Sequence, residues 1–215
     1  MIKYIPFLFL LFLACGCSLK TPENQWQYKS TNAFNSYTKN FLSSKDLLAK
    51  NDLKRAIKHA KQSANLHQLA KIYLGACALN ISVGTQDTCE KYTNIALLVE
   101  NNALRSYYKL LTKHIKKQDI KYLNKNYRIF AHALINKDYA KAEKSIFHMQ
   151  RNSSKILAMA LLAKHVSYAS LQEIINIASY QGQKKVVLFW LEESKKHVSN
   201  PNELNKINQK IKVLQ

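Results

Sequence analysis

The chain has 215 residues, with 33 Lys or Arg against 13 Asp or Glu, a net charge of +20. That length is enough for one domain with a sizeable core. Only 4 Gly and 3 Pro are present, which argues against an all-β protein with Gly- and Pro-rich turns and for helices. Arg stands only at positions 55, 105, 128 and 151, so Lys carries most of the charge. Lys is a hydrated point charge, whereas Arg makes the bidentate contacts suited to phosphates and bases. With no recognisable binding motif either, the charge points to anionic headgroups, lipopolysaccharide or acidic proteins, and away from nucleic acid.

The first stretch, residues 1–18, opens with Lys3 and an unbroken apolar run over 5–13. That run is too short to span a bilayer but fits the apolar region of a secretory signal. Small residues Ala14 and Gly16 follow, each just before a cysteine. The segment resembles a bacterial lipoprotein signal, in which a cysteine behind a small residue is acylated and becomes the first residue of the mature chain. Cys17 is the expected lipidation site. Cys15 is the competitor, but it sets the bulky Phe12 where that family prefers Leu. Cutting before Cys17 also leaves an even pair, Cys77 and Cys89. The resemblance implies a cell-envelope protein held by a diacylglyceryl or acyl anchor, with Ser18 favouring the outer membrane, facing the periplasm. The expected organisation is a signal over 1–16, a lipidated tether over 17–25 and a single helical domain over 26–215.

Thr21-Pro22-Glu23 reads as a helix start. Trp26, Ala33, Phe34, Tyr37, Phe41 and Leu48 then recur at helical spacing, with a break near Ser43-Ser44. Asn51-Asp52 is expected to open a second helix faced by Leu53, Ala56, Ile57, Ala60 and Ala64. A third covers about 66–80. Asp87-x-x-Glu90 reads as a capping box for a fourth helix with Tyr92, Ile95, Ala96 and Val99. Leu104, Tyr107, Tyr108, Leu111 and Ile115 mark a fifth. Asp119 is expected to start a sixth and Asp138 a seventh. The stretch 156–163 is apolar nearly all round and so predicts a central, fully packed helix. Ser170-x-x-Glu173 reads as a further capping box, Gly182 as a helix end, and Val186, Val187, Phe189, Trp190 and Leu191 as the next apolar face. Asn200-Pro201-x-Glu203 starts a last helix with a narrow seam of Leu204, Ile207, Ile211 and Leu214.

Three segments share a signature: Asn51-Asp52-Leu53-x-x-Ala56, Lys137-Asp138-Tyr139-x-x-Ala142 and Gly182-Gln183-Lys184-x-x-Val187. Each resembles the turn of a tetratricopeptide repeat, where Gly-Asp-Tyr-x-x-Ala is typical. Their spacing, 86 residues from Ala56 to Ala142 and 45 from Ala142 to Val187, departs from the 34-residue period of that family. The resemblance implies an all-α protein of antiparallel helical hairpins, a tetratricopeptide-like irregular α-solenoid of about ten to eleven helices.

Three candidate sites emerge. The exported space implied by the lipoprotein resemblance is oxidising, so Cys77 and Cys89 are expected to form a disulfide, with two buried free thiols as the alternative. Lys113, Lys116, Lys117, Lys121, Lys125 and Arg128 form a basic run opposed only by Asp119, a candidate surface for an anionic partner. The third is the lipidation site. No catalytic residue, metal or cofactor is expected: Gly-rich phosphate loops and the HExxH, GxSxG and Walker patterns are absent from the sequence. The seven histidines lack ligand spacing. The expected function is a lipid-anchored interaction scaffold, or an accessory subunit of an envelope complex, with a protein partner. The alternatives are a peptidoglycan- or lipopolysaccharide-binding protein using the basic face and, last, an enzyme.

Overall fold

The computed structural model describes residues 24–215. The expected lipidation site Cys17, its competitor Cys15 and the start signal Thr21-Pro22-Glu23 lie outside them. Among the described residues the chain is all-α and has no strand. Its helices are α1 (Gln25–Leu42), α2 (Asp46–Ala60), α3 (His67–Ser82), α4 (Glu90–Thr93), α5 (Asn102–Leu111) and α6 (Lys125–Ile135). They continue with α7 (Tyr139–Phe147), α8 (Asn152–Leu162), α9 (Tyr168–Tyr180), α10 (Lys184–Ser194) and α11 (Pro201–Leu214). Short 3-10 turns occupy Ala96–Leu98, Lys117–Tyr122, Ala163–His165 and Lys195–His197. No helix of the described residues is long and apolar enough to cross a membrane.

The hairpins form because several helices stop in the same way. After α1, α3, α5, α6 and α9 the chain places one residue in the left-handed region: Ser44, Gly84, Lys113, Lys137 and Gly182. In each case that residue's N–H and the next one reach back to the last turn, as in Lys137 to Leu134 O at 3.1 Å and Asp138 to Ala133 O at 3.0 Å. This is the Schellman closure, which satisfies carbonyls that a helix end leaves unpaired. After α1, α6 and α9 the closing residue is also the N-cap of the next helix: Lys45, Asp138 and Gln183. A three-residue turn then folds each pair into a hairpin, α1/α2, α6/α7 and α9/α10. Four residues past each cap lie Ala49, Ala142 and Val187, all buried, where a small or branched side chain lets two helices approach.

This register corrects the expected second helix. It starts at Asp46, and Asn51-Asp52 lies inside it. The Asn51-Asp52 signature stands seven residues, two helical turns, past the actual turn, so Ala56 shares a face with the turn alanine, Ala49. Asp52 caps nothing there. It is buried, accepts from Asn40 Nδ2 at 2.7 Å and pairs with Arg55 at 2.5 Å. Ser170 is likewise interior, and Ser167 caps α9 by accepting from the Ser170 N–H at 3.3 Å. Asp119 sits in a 3-10 turn, and Asn124 caps α6. Asp138 does cap α7, and Asn200 with Pro201 does start α11.

At the centre is α8. Ile156, Leu157, Ala158, Met159, Leu161 and Leu162 are all buried and only Ala160 between them is partly open, so it is packed on nearly every side. It touches α3, α6, α7 and α9. Its neighbour α3 in turn meets α1, α2, α4 and α5. A smaller apolar cluster of Ala33, Ala56, Ala60, Leu69 and Ile72 joins α1, α2 and α3. α1 also contacts α10, and Lys185 pairs with Asp46 there.

The left-handed turns are open to test by denaturant unfolding. Lys137→Gly removes a Cβ from φ 58° and is expected to raise stability by roughly 0.5–1 kcal/mol, the steric relief outweighing the added chain entropy. A Cβ on Gly84, at φ +80°, would meet a Phe189 ring carbon at 2.2 Å. Gly84→Ala is therefore expected to lower stability by about 2 kcal/mol or more.

Candidate functional site

The site begins at the end of α3. Gly84 turns the chain there, with its N–H on Ile81 O at 3.0 Å and the Thr85 N–H on Asn80 O at 3.0 Å. Residues 85–89 then run with neither helix nor turn. Asp87 ties this segment down. Its carboxylate accepts from Asn80 Nδ2 at 2.7 Å and from the Cys89 N–H at 2.7 Å. It is thus not the capping box expected at Asp87-x-x-Glu90, because Cys89 intervenes in the left-handed region at φ 56° and α4 is a single turn.

The sulfurs of Cys77 and Cys89 lie 2.01 Å apart, with 5.3 Å between the α-carbons, so a disulfide joins α3 to the far end of the segment. Both residues are buried, as is Tyr92 one turn later. Asp87 brings a carboxylate oxygen within 4.8 Å of the two sulfurs. Bonded to each other, however, the sulfurs offer no thiolate, and the carboxylate already has two donors. The residues fit a braced loop better than a metal centre.

The braced segment is one wall of a groove of about 720 Å³, within the range of known ligand clefts. The end of α5 forms the second wall, through Tyr108, Lys113 and His114. The end of α8 and the 3-10 turn after it bring Leu161 and Lys164. α10 and its following turn bring Phe189, Glu193 and Lys196. The floor is apolar and the rim cationic.

The charges are unequally matched. Lys196 is paired with Glu193, at 2.6 and 2.8 Å. Among the described residues neither Lys113 nor Lys164 is in an ion pair. Burial, and then the neighbouring Lys164 charge, push the Lys113 amine below its ordinary range. Two ammonium groups that line one groove without a carboxylate partner form a place where an anion gains twice.

Asp119 sets the turn that carries Lys113. Its carboxylate accepts from Lys109 Nζ at 2.6 Å and from the Lys116 N–H at 3.0 Å, spanning the chain on both sides of Lys113. Burial by itself would raise the Asp119 carboxyl, but these bonds and the two lysine charges outweigh it and hold the group below the usual range.

The expected basic run is thereby divided. Lys113 lies in the groove. Lys116, Lys117, Lys121 and Lys125 are exposed outside it. Arg128 is engaged structurally, donating to Leu123 O and Lys121 O at 2.9 Å each. Lys164, Lys196, Tyr108 and Phe189 were not legible as site residues, because they come from three separate helical regions.

Asp119→Asn is expected to cost about 1.5–3 kcal/mol at neutral pH, the range for charge-assisted bonds. Because the folded carboxyl titrates below the unfolded one, this stability is present above about pH 4 and is lost as pH falls through the lower, folded value. Urea unfolding at pH 7 and pH 3 should show the variant's deficit shrinking in acid. Reducing Cys77–Cys89 is expected to cost about 3 kcal/mol by loop entropy. Native alkylation and mass spectrometry should find both residues unlabelled until a reductant is added. No protein-family model, curated protein or solved structure matches the chain.

Proposed function

We propose that the chain is a lipid-anchored protein of the bacterial cell envelope, held by an acyl group on Cys17, whose helical domain serves as an interaction scaffold or accessory subunit of an envelope complex. The outer membrane, with the domain facing the periplasm, is the placement that Ser18 favours. The observation that carries the scaffold reading is the groove beside the Cys77–Cys89 bridge: an open, apolar-floored cleft with two unpaired ammonium groups, supported by a braced wall. Such a surface suits a docked segment of a protein partner. The bridge itself suits an oxidising compartment. The proposal assigns no catalytic residue and no cofactor, and no nucleic acid is among the partners.

A second reading rests on a different observation. Lys116, Lys117, Lys121 and Lys125 are exposed and, among the described residues, in no ion pair. They supply exposed cationic charge, close together in the chain, that would meet peptidoglycan or lipopolysaccharide.

The two readings separate experimentally. Metabolic labelling with a fatty-acid analogue is expected to tag the chain and to fail on Cys17→Ala; tagging that persists in this variant would transfer the anchor to Cys15. Cross-linking in intact envelopes is expected to return one stoichiometric protein. Its absence, together with salt-sensitive sedimentation on purified sacculi, would favour the polymer-binding reading.

A further inference from the structure

Resting on the reading of the groove as a protein-docking site, we propose the chemistry of what docks there. The groove takes a partner segment in which an acidic side chain lies close to an apolar or aromatic one. The carboxylate meets Lys113 and Lys164, and the apolar side chain lies against Tyr108 and Phe189.

Four features lead to this. First, the cationic groups in the groove are not equivalent. Lys196 already has Glu193, whereas Lys113 and Lys164 have no carboxylate among the described residues. Glu193 and Asp87, the two acids that line the groove, are each engaged by their own donors. The vacant partnership is therefore for one anionic group, not for a polyanion.

Second, both amines come from lysine. Each is a compact point charge that can pair with a single carboxylate oxygen without a bidentate geometry. Third, the remaining surface is apolar and aromatic. Tyr108 and Phe189 are both partly buried and flank the cleft from α5 and α10. Aromatic groups of this kind are the usual anchors of a docked side chain.

Fourth, the cleft is held in shape before anything binds. One wall is fixed by the disulfide and Asp87, and the Lys113 turn is fixed by Asp119. Preformed walls lower the ordering cost of association. Along the first wall, the N–H groups of Gln86, Asp87 and Thr88 make no hydrogen bond to any described residue. Main-chain donors next to the cleft favour a peptide over an acyl chain as occupant.

The test uses the full-length chain, purified in mild detergent with its disulfide intact, and a phage-displayed library of random dodecapeptides. Panning is expected to enrich peptides with Asp or Glu within a few positions of Phe, Tyr, Leu or Ile. A synthetic, fluorescein-labelled peptide from that set should bind less tightly as salt is added. It should lose about tenfold or more in affinity on Lys113→Gln with Lys164→Gln. Lys116→Gln with Lys117→Gln, outside the groove, should leave its affinity unchanged, and far-ultraviolet circular dichroism should show both double variants folded.

No enrichment, enriched peptides lacking an acid, or equal binding by the groove variant would each overturn the proposal. So would binding to phosphatidylglycerol vesicles that disappears in the groove variant while no peptide is enriched, since the same lysines would then face lipid. Failure of the panning alongside a stoichiometric cross-linked protein in envelopes would leave the scaffold reading standing and remove only this account of the groove.

Discussion

The packing of α8 is the constraint on which the rest of the structure depends. Ile156, Leu157, Ala158, Met159, Leu161 and Leu162 are all buried, and of its apolar run only Ala160 is partly open, so neighbouring elements must cover nearly the whole helix. α3, α6, α7 and α9 do so. Burial of each such large aliphatic side chain contributes roughly 1.5–3 kcal/mol before entropy is counted. The hairpins α6/α7 and α9/α10 are thus fixed against one axis. α3 meets both α8 and the α1/α2 hairpin and so links the two halves, with the contact of α1 on α10 as a second link. Most of these connections are short, because the Schellman closure ends one helix and its last residue caps the next. Three of the five such turns place Ser or Lys, not Gly, in the left-handed region. The chain accepts that strain where the turn geometry is otherwise over-determined.

The groove follows from the same packing. α5, α8 and α10 all end on one side of the molecule, and the loop from α3 crosses there. A loop of that kind, with few main-chain bonds of its own, would ordinarily be mobile. Two covalent and polar ties prevent this: the Cys77–Cys89 bond, and the Asp87 carboxylate between Asn80 and the Cys89 N–H. Asp119 does the corresponding work for the turn opposite. Two of the chain's scarce acids therefore brace the walls of the groove, and among the described residues Lys113 and Lys164 have no ion-pair partner.

Much of the fold was legible because its signals are local. Apolar periodicity located α3, α5 and α9 to within a few residues, the all-round apolar run identified α8 as central, and Asn200-Pro201 marked the last helix. The failures have one physical origin. An acid or serine before an apolar run reads as a cap, whereas Asp52, Asp87 and Asp119 bond back to Asn40, Asn80 and Lys109 on the preceding helices and Ser170 lies inside α9. Nothing local distinguishes a carboxylate that caps its own helix from one that holds a distant amine. The break near Ser43-Ser44 was legible, but not that the second helix starts just past it, because Lys45 is a poor cap by type and Ser44 an unlikely left-handed residue. The candidate site was legible only in part. Lys113 stood out within a basic run, but Lys164 and Phe189 reach it from far along the chain, and sequence spacing carries no trace of that meeting.

Hydrogen exchange, read by mass spectrometry in the oxidised and reduced chain, tests most directly whether the disulfide braces the groove wall on an independently packed α8. The N–H groups of Tyr92, Thr93, Asn94 and Ile95 bond within the segment that Cys89 begins. They should be protected in the oxidised chain and exchange much faster after reduction, while the amides of α8 remain among the slowest in both states. Equal exchange of residues 92–95 in the two states, or rapid exchange of α8 in the oxidised chain, would contradict the account.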